Sequence, residues 1–246
     1  MATYSQDFFT LHLQHSISSA EGVIPVVMEY VRPSSVIDIG CGIGTWLKVW
    51  KEKGVADFKG VDGSYVKVEQ LLIPGENFET ADLSKKFSLP RKFDLVSSLE
   101  VGEHIDASSS DAFVETLCGL GDLVLFSAAI PGQEGTHHIN EQYPDYWAAI
   151  FEKKGFVAVD CLRQRIWDDS KISWWYRQNV VFFVRKETLS NYPALQREYE
   201  RTQGSIMRLV HPDLLDIRTK QINNFRKNVA NPLRAFAFSV KRIIQK

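Results

Sequence analysis

The sequence is short of the residues that mark exported, membrane-spanning or polyanion-binding chains. Its three cysteines, Cys41, Cys118 and Cys161, lie far apart in no disulfide or metal spacing. That excludes a disulfide scaffold and leads us to expect a reducing, cytoplasmic setting in which each thiol is a small buried hydrophobe. No window approaches roughly 18 uncharged apolar residues, and no basic flank in residues 1–22 leads into an apolar run, so neither a membrane span nor a signal peptide is expected. Internal repeats and low-complexity stretches are also missing. The formal net charge of the 246 residues is only -1. Charge is unevenly spread: residues 1–190 carry 18 basic and 26 acidic side chains, whereas residues 191–246 carry 11 and 4. The main body therefore lacks the clustered Lys and Arg of a nucleic-acid groove. The Asn/Asp-Pro-Pro-Tyr/Phe motif common in enzymes that methylate flipped bases is absent too, and no nucleic-acid partner is expected.

What is present is an alternation of strand-like and helix-like segments that begins after Pro33. Apolar runs at 35–40, 58–64, 76–84, 92–100, 121–132, 156–163 and 179–186 read as seven strands. Between them, 45–54 reads as a helix closed by Gly54, 109–120 as a second, and 143–155 as a third with a glycine stop. Residues 6–31 supply one or two helices ahead of the first strand. This pattern predicts an α/β, Rossmann-like, seven-stranded, mostly parallel sheet with helices on both faces. We place the main domain at 1–190, with amino-terminal helices at 6–31 and a core at 32–186. A basic helical tail follows at 191–246.

The densest chemical signal is VIDIGCGIGTW, residues 36–46. Gly40, Gly42 and Gly44 fall where a strand turns into a helix, and the missing side chains let a ligand approach the backbone. The third glycine comes one residue too early for the dinucleotide fingerprint, and Asp38 would repel a pyrophosphate while suiting a cationic amino group. In this light D-x-G-x-G-x-G resembles the first motif of class I S-adenosylmethionine-dependent methyltransferases. Later segments continue the likeness over residues 30–186. The resemblance implies that Asp38, Gly40, Cys41, Gly42 and Gly44 border S-adenosyl-L-methionine and its product S-adenosyl-L-homocysteine. It also implies that Asp62 and Gly63 of GVDGS meet the ribose hydroxyls, and that Asp82 and Leu83 of TADLS meet the adenine. FDLVSSLEVGEHI, residues 93–105, is similar to the fourth-strand motif of ubiquinone-biosynthesis O-methyltransferases, which implies that Leu99 and Glu100 line the cofactor and that His104 sits near the transferred methyl. Read without the resemblance, Asp38, Asp62 and Asp82 remain open to roles as capping or turn residues.

A second dense stretch, FSAAIPGQEGTHHINEQYPDYW at 126–147, follows the fifth strand, where open α/β sheets bind ligands. Together with WYRQN at 175–179 it resembles a bacterial methyltransferase subgroup associated with surface glycans and secondary metabolites, with Glu134 in place of a glycine. A hydroxyl acceptor needs a base, and imidazole has the apt ordinary pKa. His138 is the first candidate, followed by His137 and His104, with Glu141 positioning the acceptor or a histidine. Adjacent histidines cannot both face one way on a regular strand. Asn140, Tyr143, Trp147, Trp175, Tyr176 and Arg177 are candidate acceptor contacts, Arg177 alternatively holding the loop. His, Glu and Cys fall in no metal-ligand spacing, and no metal is expected.

The expected function is methylation of oxygen on a small hydroxylated acceptor such as a sugar or natural-product intermediate. N-methylation of an amino sugar or other small amine is the alternative, and a noncatalytic cofactor-binding scaffold a further one. The last thirty residues hold eight basic and no acidic side chains, and 233–244 reads as amphipathic. Peripheral membrane contact and a homodimer are the partners considered for this tail.

Overall fold

The computed structural model describes the backbone of residues 6–229 and the side chains of residues 13–228. Seven strands form one sheet: β1 Ser35–Ile39, β2 Asp57–Asp62, β3 Phe78–Thr80, β4 Leu95–Leu99, β5 Leu123–Ser127, β6 Phe156–Val159 and β7 Val181–Arg185. Their order is β3-β2-β1-β4-β5-β7-β6. Strands β1 to β5 are parallel, and β7 inserts antiparallel between β5 and β6. The helices are α1 Gln6–Tyr30, α2 Thr45–Glu52, α3 Ser110–Leu120, α4 Pro144–Lys153, α5 Leu162–Ile166, α6 Trp174–Asn179, α7 Pro193–Thr202 and α8 Pro212–Val229. The expected strands are all present, shortened at their ends. The run at 156–163 stops being strand after Val159, because Leu162 already starts α5.

Period-2 alternation sorts the strand side chains onto two faces, both apolar, as a covered parallel sheet requires. Val36, Leu95, Leu123, Leu125, Phe182 and Val184 pack in one core with Val23 and Ile24 of α1 and Trp50 of α2. Ile37, Ile39, Val96, Val124, Phe126 and Phe183 pack on the other face with Leu117 of α3 and Phe151 of α4. Burying each such side chain contributes about 1.5–3 kcal/mol. From β1 the chain moves outward through β2 to β3, then returns to β4 on the far side of β1. At that reversal the crossover helices part and leave a crevice outside the strand carboxyl ends.

Two compact units result, Met1–Leu209 and Val210–Lys246. The first holds the sheet and also α7, whose Leu195 is fully buried in the same core. The second holds α8, where Leu215, Ile222 and Phe225 are exposed. The amphipathic segment expected at 233–244, and with it the membrane and dimer expectations, lies outside the described residues. Among the described residues, no helix is long and apolar enough to cross a membrane.

One buried ion pair ties this unit together. The Arg163 guanidinium, 1% exposed, donates Nε–H to Asp160 Oδ1 at 2.8 Å and pairs with the second carboxylate oxygen. It also donates to the carbonyls of Gln178 at 3.1 Å and Met207 at 3.0 Å. Removing one partner of a buried pair leaves the other uncompensated. Arg163→Ala is therefore expected to lower unfolding stability by about 3–5 kcal/mol, read as a reduced urea midpoint with an unchanged slope.

Candidate functional site

The crevice is built around the turn from β1 to α2. Gly40, Gly42 and Gly44 adopt φ values of 81°, 54° and 83°, the left-handed region that a side chain disfavours. A Cβ on Gly40 would lie 2.3 Å from a methyl of Val101, whereas one on Gly42 would meet nothing within 4 Å. Gly40 is thus fixed by packing, and Gly42 presents bare backbone to open space. Gly40 N–H bonds to the Val61 carbonyl at 2.8 Å, locking the turn to the end of β2.

Three carboxylates surround this turn. Asp38, on β1, is buried and accepts a 2.6 Å hydrogen bond from Ser97 Oγ of β4. Burial, reinforced by the neighbouring Asp62 charge, pushes its pKa up to about 7 despite the serine. Asp62, at the end of β2, accepts from Gly42 N–H and Gly63 N–H, both at 2.6 Å, and from the Tyr65 hydroxyl. Asp82 follows β3 and accepts from Ser84 N–H at 3.1 Å and Ser84 Oγ at 2.6 Å. Those bonds and the adjacent Lys85 ammonium hold it down at about 2.

Two cavities meet across the turn. The larger, about 890 Å³, is lined by Gly40, Gly42, Asp62, Gly63, Tyr65, Asp82, Leu83, Glu100, His104 and His137, among others. The smaller, about 370 Å³, is lined by Asp38, Cys41, Thr45, Trp46, Leu99 and Tyr176, with Leu13 and Ser16 of α1. Gly40 and Gly42 border both, and among the described residues no Lys or Arg lines either. Every residue expected to border a cofactor therefore stands on one of these two walls, except that Gly44 faces away. A Cβ there would strike Ile73 at 2.8 Å.

Glu100 follows β4 with φ 56° and is fixed from several sides. Its carboxylate accepts from Gln133 Nε2 at 2.7 Å and Asn179 Nδ2 at 3.1 Å, while its N–H bonds to Ser127. Burial raises its pKa, against the pull of these amides. The next turn, Gly102–His104, carries Glu103, which is 1% exposed. Among the described residues neither carboxylate oxygen of Glu103 has a hydrogen-bond partner. Desolvation, followed by the Glu100 charge, raises its pKa well above the carboxylate range. Its main-chain carbonyl accepts Ile139 N–H at 2.9 Å and Asn140 N–H at 3.0 Å, pinning the 130–142 loop onto this turn.

That clamp brings the histidines together. His138 Nδ1 lies 2.9 Å from Glu141 Oε1, and its Nε2 lies 3.9 Å from Glu103 Oε1. Glu141 is steadied in turn by Gly132 N–H at 2.8 Å. His104 Nδ1 lies 3.2 Å from the His137 carbonyl, and its ring meets that of His138 edge-on at 5.0 Å. Partial burial lowers the His104 pKa. His137, at φ 61°, borders the larger cavity, whereas His138 borders a separate one with Gly135 and Glu141. In sequence these groups fit no ligand spacing. In space, one ligand atom each from Glu103, His104 and His138 lies within 4.8 Å of the others.

Of the expected acceptor contacts, Tyr176 alone lines either of these two cavities among the described residues, stacked edge-on to Trp46 at 5.0 Å. Trp147 is 1% exposed in the core, against Phe126 and over Gly102. Asn140 is buried on Ser110 Oγ at 3.0 Å, and Arg177 donates to the Trp167 carbonyl at 2.8 Å. Tyr143 lies under the Arg208 guanidinium at 4.6 Å, and Trp175 packs against the core cluster. These five brace the walls and do not line them. Sequence reasoning passed over Glu103, Ser97, Tyr65, Gln133 and Asn179. Glu103 had a signal in its place three residues after Glu100 and next to His104, whereas the other four become visible only through contacts made by folding.

Residues 25–120 match the family described as a methyltransferase domain. No curated protein matches the chain. Among solved structures it is similar to SAM-bound CalS10 of Micromonospora echinaspora, an amino pentose methyltransferase involved in calicheamicin biosynthesis. That likeness is 13% identical, covers 75% of this chain and 99% of that one, and has a TM-score of 0.54. It is also similar to magnesium protoporphyrin IX methyltransferase (ChlM) of Synechocystis PCC 6803 with bound SAH, at 19% identity over 75% of this chain and 90% of that one, TM-score 0.51. Against DesVI of Streptomyces venezuelae the identity is 22% over 52% of this chain, the TM-score 0.43, and the chain spans 58% of that protein's length. What CalS10 and ChlM share with this chain is its Rossmann-like fold.

Proposed function

We propose that the protein is an S-adenosylmethionine-dependent methyltransferase that methylates an oxygen of a small hydroxylated acceptor, of the sugar or natural-product kind. The observation that carries this reading is the set of three carboxylates, Asp38, Asp62 and Asp82, around a glycine turn whose two cavities have no Lys or Arg on their walls among the described residues. Such a donor set suits a ligand with an ammonium, a diol and an exocyclic amine, and it repels a pyrophosphate. The methyltransferase-domain match over residues 25–120 and the CalS10 and ChlM folds, solved with SAM and SAH, support the same choice.

The residues fit the group. Asp38 stands in the smaller cavity to hold the amino-acid ammonium, and bare backbone at Gly42 gives the chain close approach. Asp62 would receive the ribose hydroxyls, which requires the Tyr65 hydroxyl to yield its place. Asp82 and Leu83 would border the adenine. When bound, the cofactor supplies an electrophilic methyl on a sulfonium, and the protein's task is alignment and activation of the acceptor. Glu100 holds the wall between the two through its amide network. The acceptor oxygen is activated at the cluster of Glu103, His104 and His138. An amine acceptor is the second reading, favoured by the buried Glu100 and Glu103 carboxyl groups, which would draw in a cationic substrate and take its proton before transfer.

Calorimetric titration tests the cofactor. S-adenosylhomocysteine should bind saturably and NAD should not, and Asp62→Ala should weaken the former about 10–100-fold, the loss of charge-assisted hydrogen bonds. Binding of NAD alone would overturn the reading. A pH dependence follows from Asp38. Its carboxyl keeps its proton up to about pH 7 in the free protein, whereas a bound ammonium favours the ionised form. Binding at pH 6 should therefore release a proton, seen as a dependence of the heat on buffer ionisation enthalpy. Affinity should rise from pH 6 to about 7 and then level, and Asp38→Asn should abolish both effects. With a hydroxyl acceptor, His104→Ala or His138→Ala should lower kcat by about 100-fold or more with S-adenosylhomocysteine affinity unchanged.

A further inference from the structure

We infer that α8 docks along an exposed apolar stripe onto an anionic lipid surface. The inference is independent of the methyltransferase reading, and it rests on α8 itself rather than on the segment at 233–244. Leu215, Ile222 and Phe225 are 60%, 52% and 54% exposed. Their spacing of seven and then three residues sets them on one side of the helix, within an arc of about 80°. From Leu215 to Lys227 every residue of α8 is exposed except the half-buried Arg218. A helix of this length is marginal in water on propensity alone and draws its stability from covering an apolar face. The open stripe therefore calls for a partner.

Charge identifies that partner. No acidic side chain follows Asp216, whereas residues 217–228 hold Arg218, Lys220, Arg226 and Lys227, and residues 229–246 hold four more basic side chains. Arg218 and Arg226 share the stripe's own side of the helix, three residues after Leu215 and four after Ile222. Long basic side chains beside apolar ones lay their stems along the apolar surface and carry their charges out to the level of lipid phosphates. An anionic surface attracts such cations, and its acyl boundary takes up the leucine, isoleucine and phenylalanine. The opposite side of α8, with Lys220, Asn224 and Lys227, is polar, as suits a helix lying in the plane of the headgroups.

Other occupants fit less well. Two copies meeting stripe to stripe would gather Arg218 and Arg226 of both chains along one seam, where like charges repel. A stable protein interface also buries about 800 Å² on each partner, more than three side chains supply. A nucleic acid offers phosphates but nothing that covers Leu215, Ile222 and Phe225.

The test is flotation of the whole chain with vesicles of phosphatidylcholine alone or of an equal mixture with phosphatidylglycerol. Binding is expected to the mixed vesicles only, and it should weaken as sodium chloride is raised and the charges are screened. Ile222→Ser and Phe225→Ser should each lower the partition coefficient about 10-fold or more, the loss of one buried apolar side chain, with the circular dichroism spectrum unchanged. Lys220→Gln combined with Lys227→Gln should weaken binding at low salt and flatten its salt dependence. Val68→Ser, which removes an apolar side chain 56% exposed in the first unit, should leave binding intact. Equal binding to both kinds of vesicle, binding to neither, no effect of Ile222→Ser and Phe225→Ser, or equal loss in Val68→Ser would each overturn the inference. So would a dimer in sedimentation equilibrium that Ile222→Ser and Phe225→Ser dissociate, since a second copy would then cover the stripe.

Discussion

Parallel strands all deliver their carboxyl ends to one edge of a sheet, and a reversal in strand order opens that edge to solvent. The reversal between β1 and β4 is the constraint on which the rest of this molecule depends. It puts Asp38 and Asp62 on neighbouring strands and sets Glu100 and Glu103 across a narrow gap from them. It also leaves the β5 end free to send out the 130–142 loop. Both sheet faces are apolar and covered, so polar chemistry is confined to this edge.

The edge is unusual in its charge. Apart from Asp82, which Lys85 pairs, the carboxylates gathered there have no lysine or arginine beside them among the described residues, and each is accommodated differently. Asp62 is held by backbone N–H groups, Asp38 by one serine and a raised pKa, and Glu100 by side-chain amides. The Glu103 carboxylate makes no well-formed hydrogen bond among the described residues, and the nearby N–H groups of Glu103 and Ala129 offset its burial in part. A site of this kind is tuned for cationic or hydrogen-donating ligands, and its fine structure is set by which of those each carboxylate receives.

The fold was legible because its signals are local and repeated. Period-2 apolar runs, the glycine stops at Gly54 and Gly155, and the turn at 40–44 each follow from short-range sterics. The antiparallel insertion of β7 was not, since strand direction depends on how α5 and α6 return the chain and no residue type encodes that. At the site, Asp38, Asp62 and Asp82 were singled out through the resemblance their motifs carry, and folding sets all three around one glycine turn. Trp147, Asn140 and Arg177 were read as acceptor contacts from their place in the 126–147 and 175–179 stretches, Arg177 alternatively as holding the loop. Folding turned them inward, where Trp147 fills a core position beside Phe126 and Arg177 caps a carbonyl. The nearness of His138 to Glu103 depends on two main-chain hydrogen bonds across 36 and 37 residues of sequence, which no spacing rule reaches.

Those two bonds also bear on how the site can diversify. Because the loop is fastened through the backbone at Ile139 and Asn140, the exposed Ile139 side chain is not what holds it in place. Mutation can therefore change the rim's shape and charge while the chemistry beneath it stays in register. Under the proposed function, the molecule separates a fixed cluster of acid and imidazole groups from a rim that selection can reshape for new acceptors.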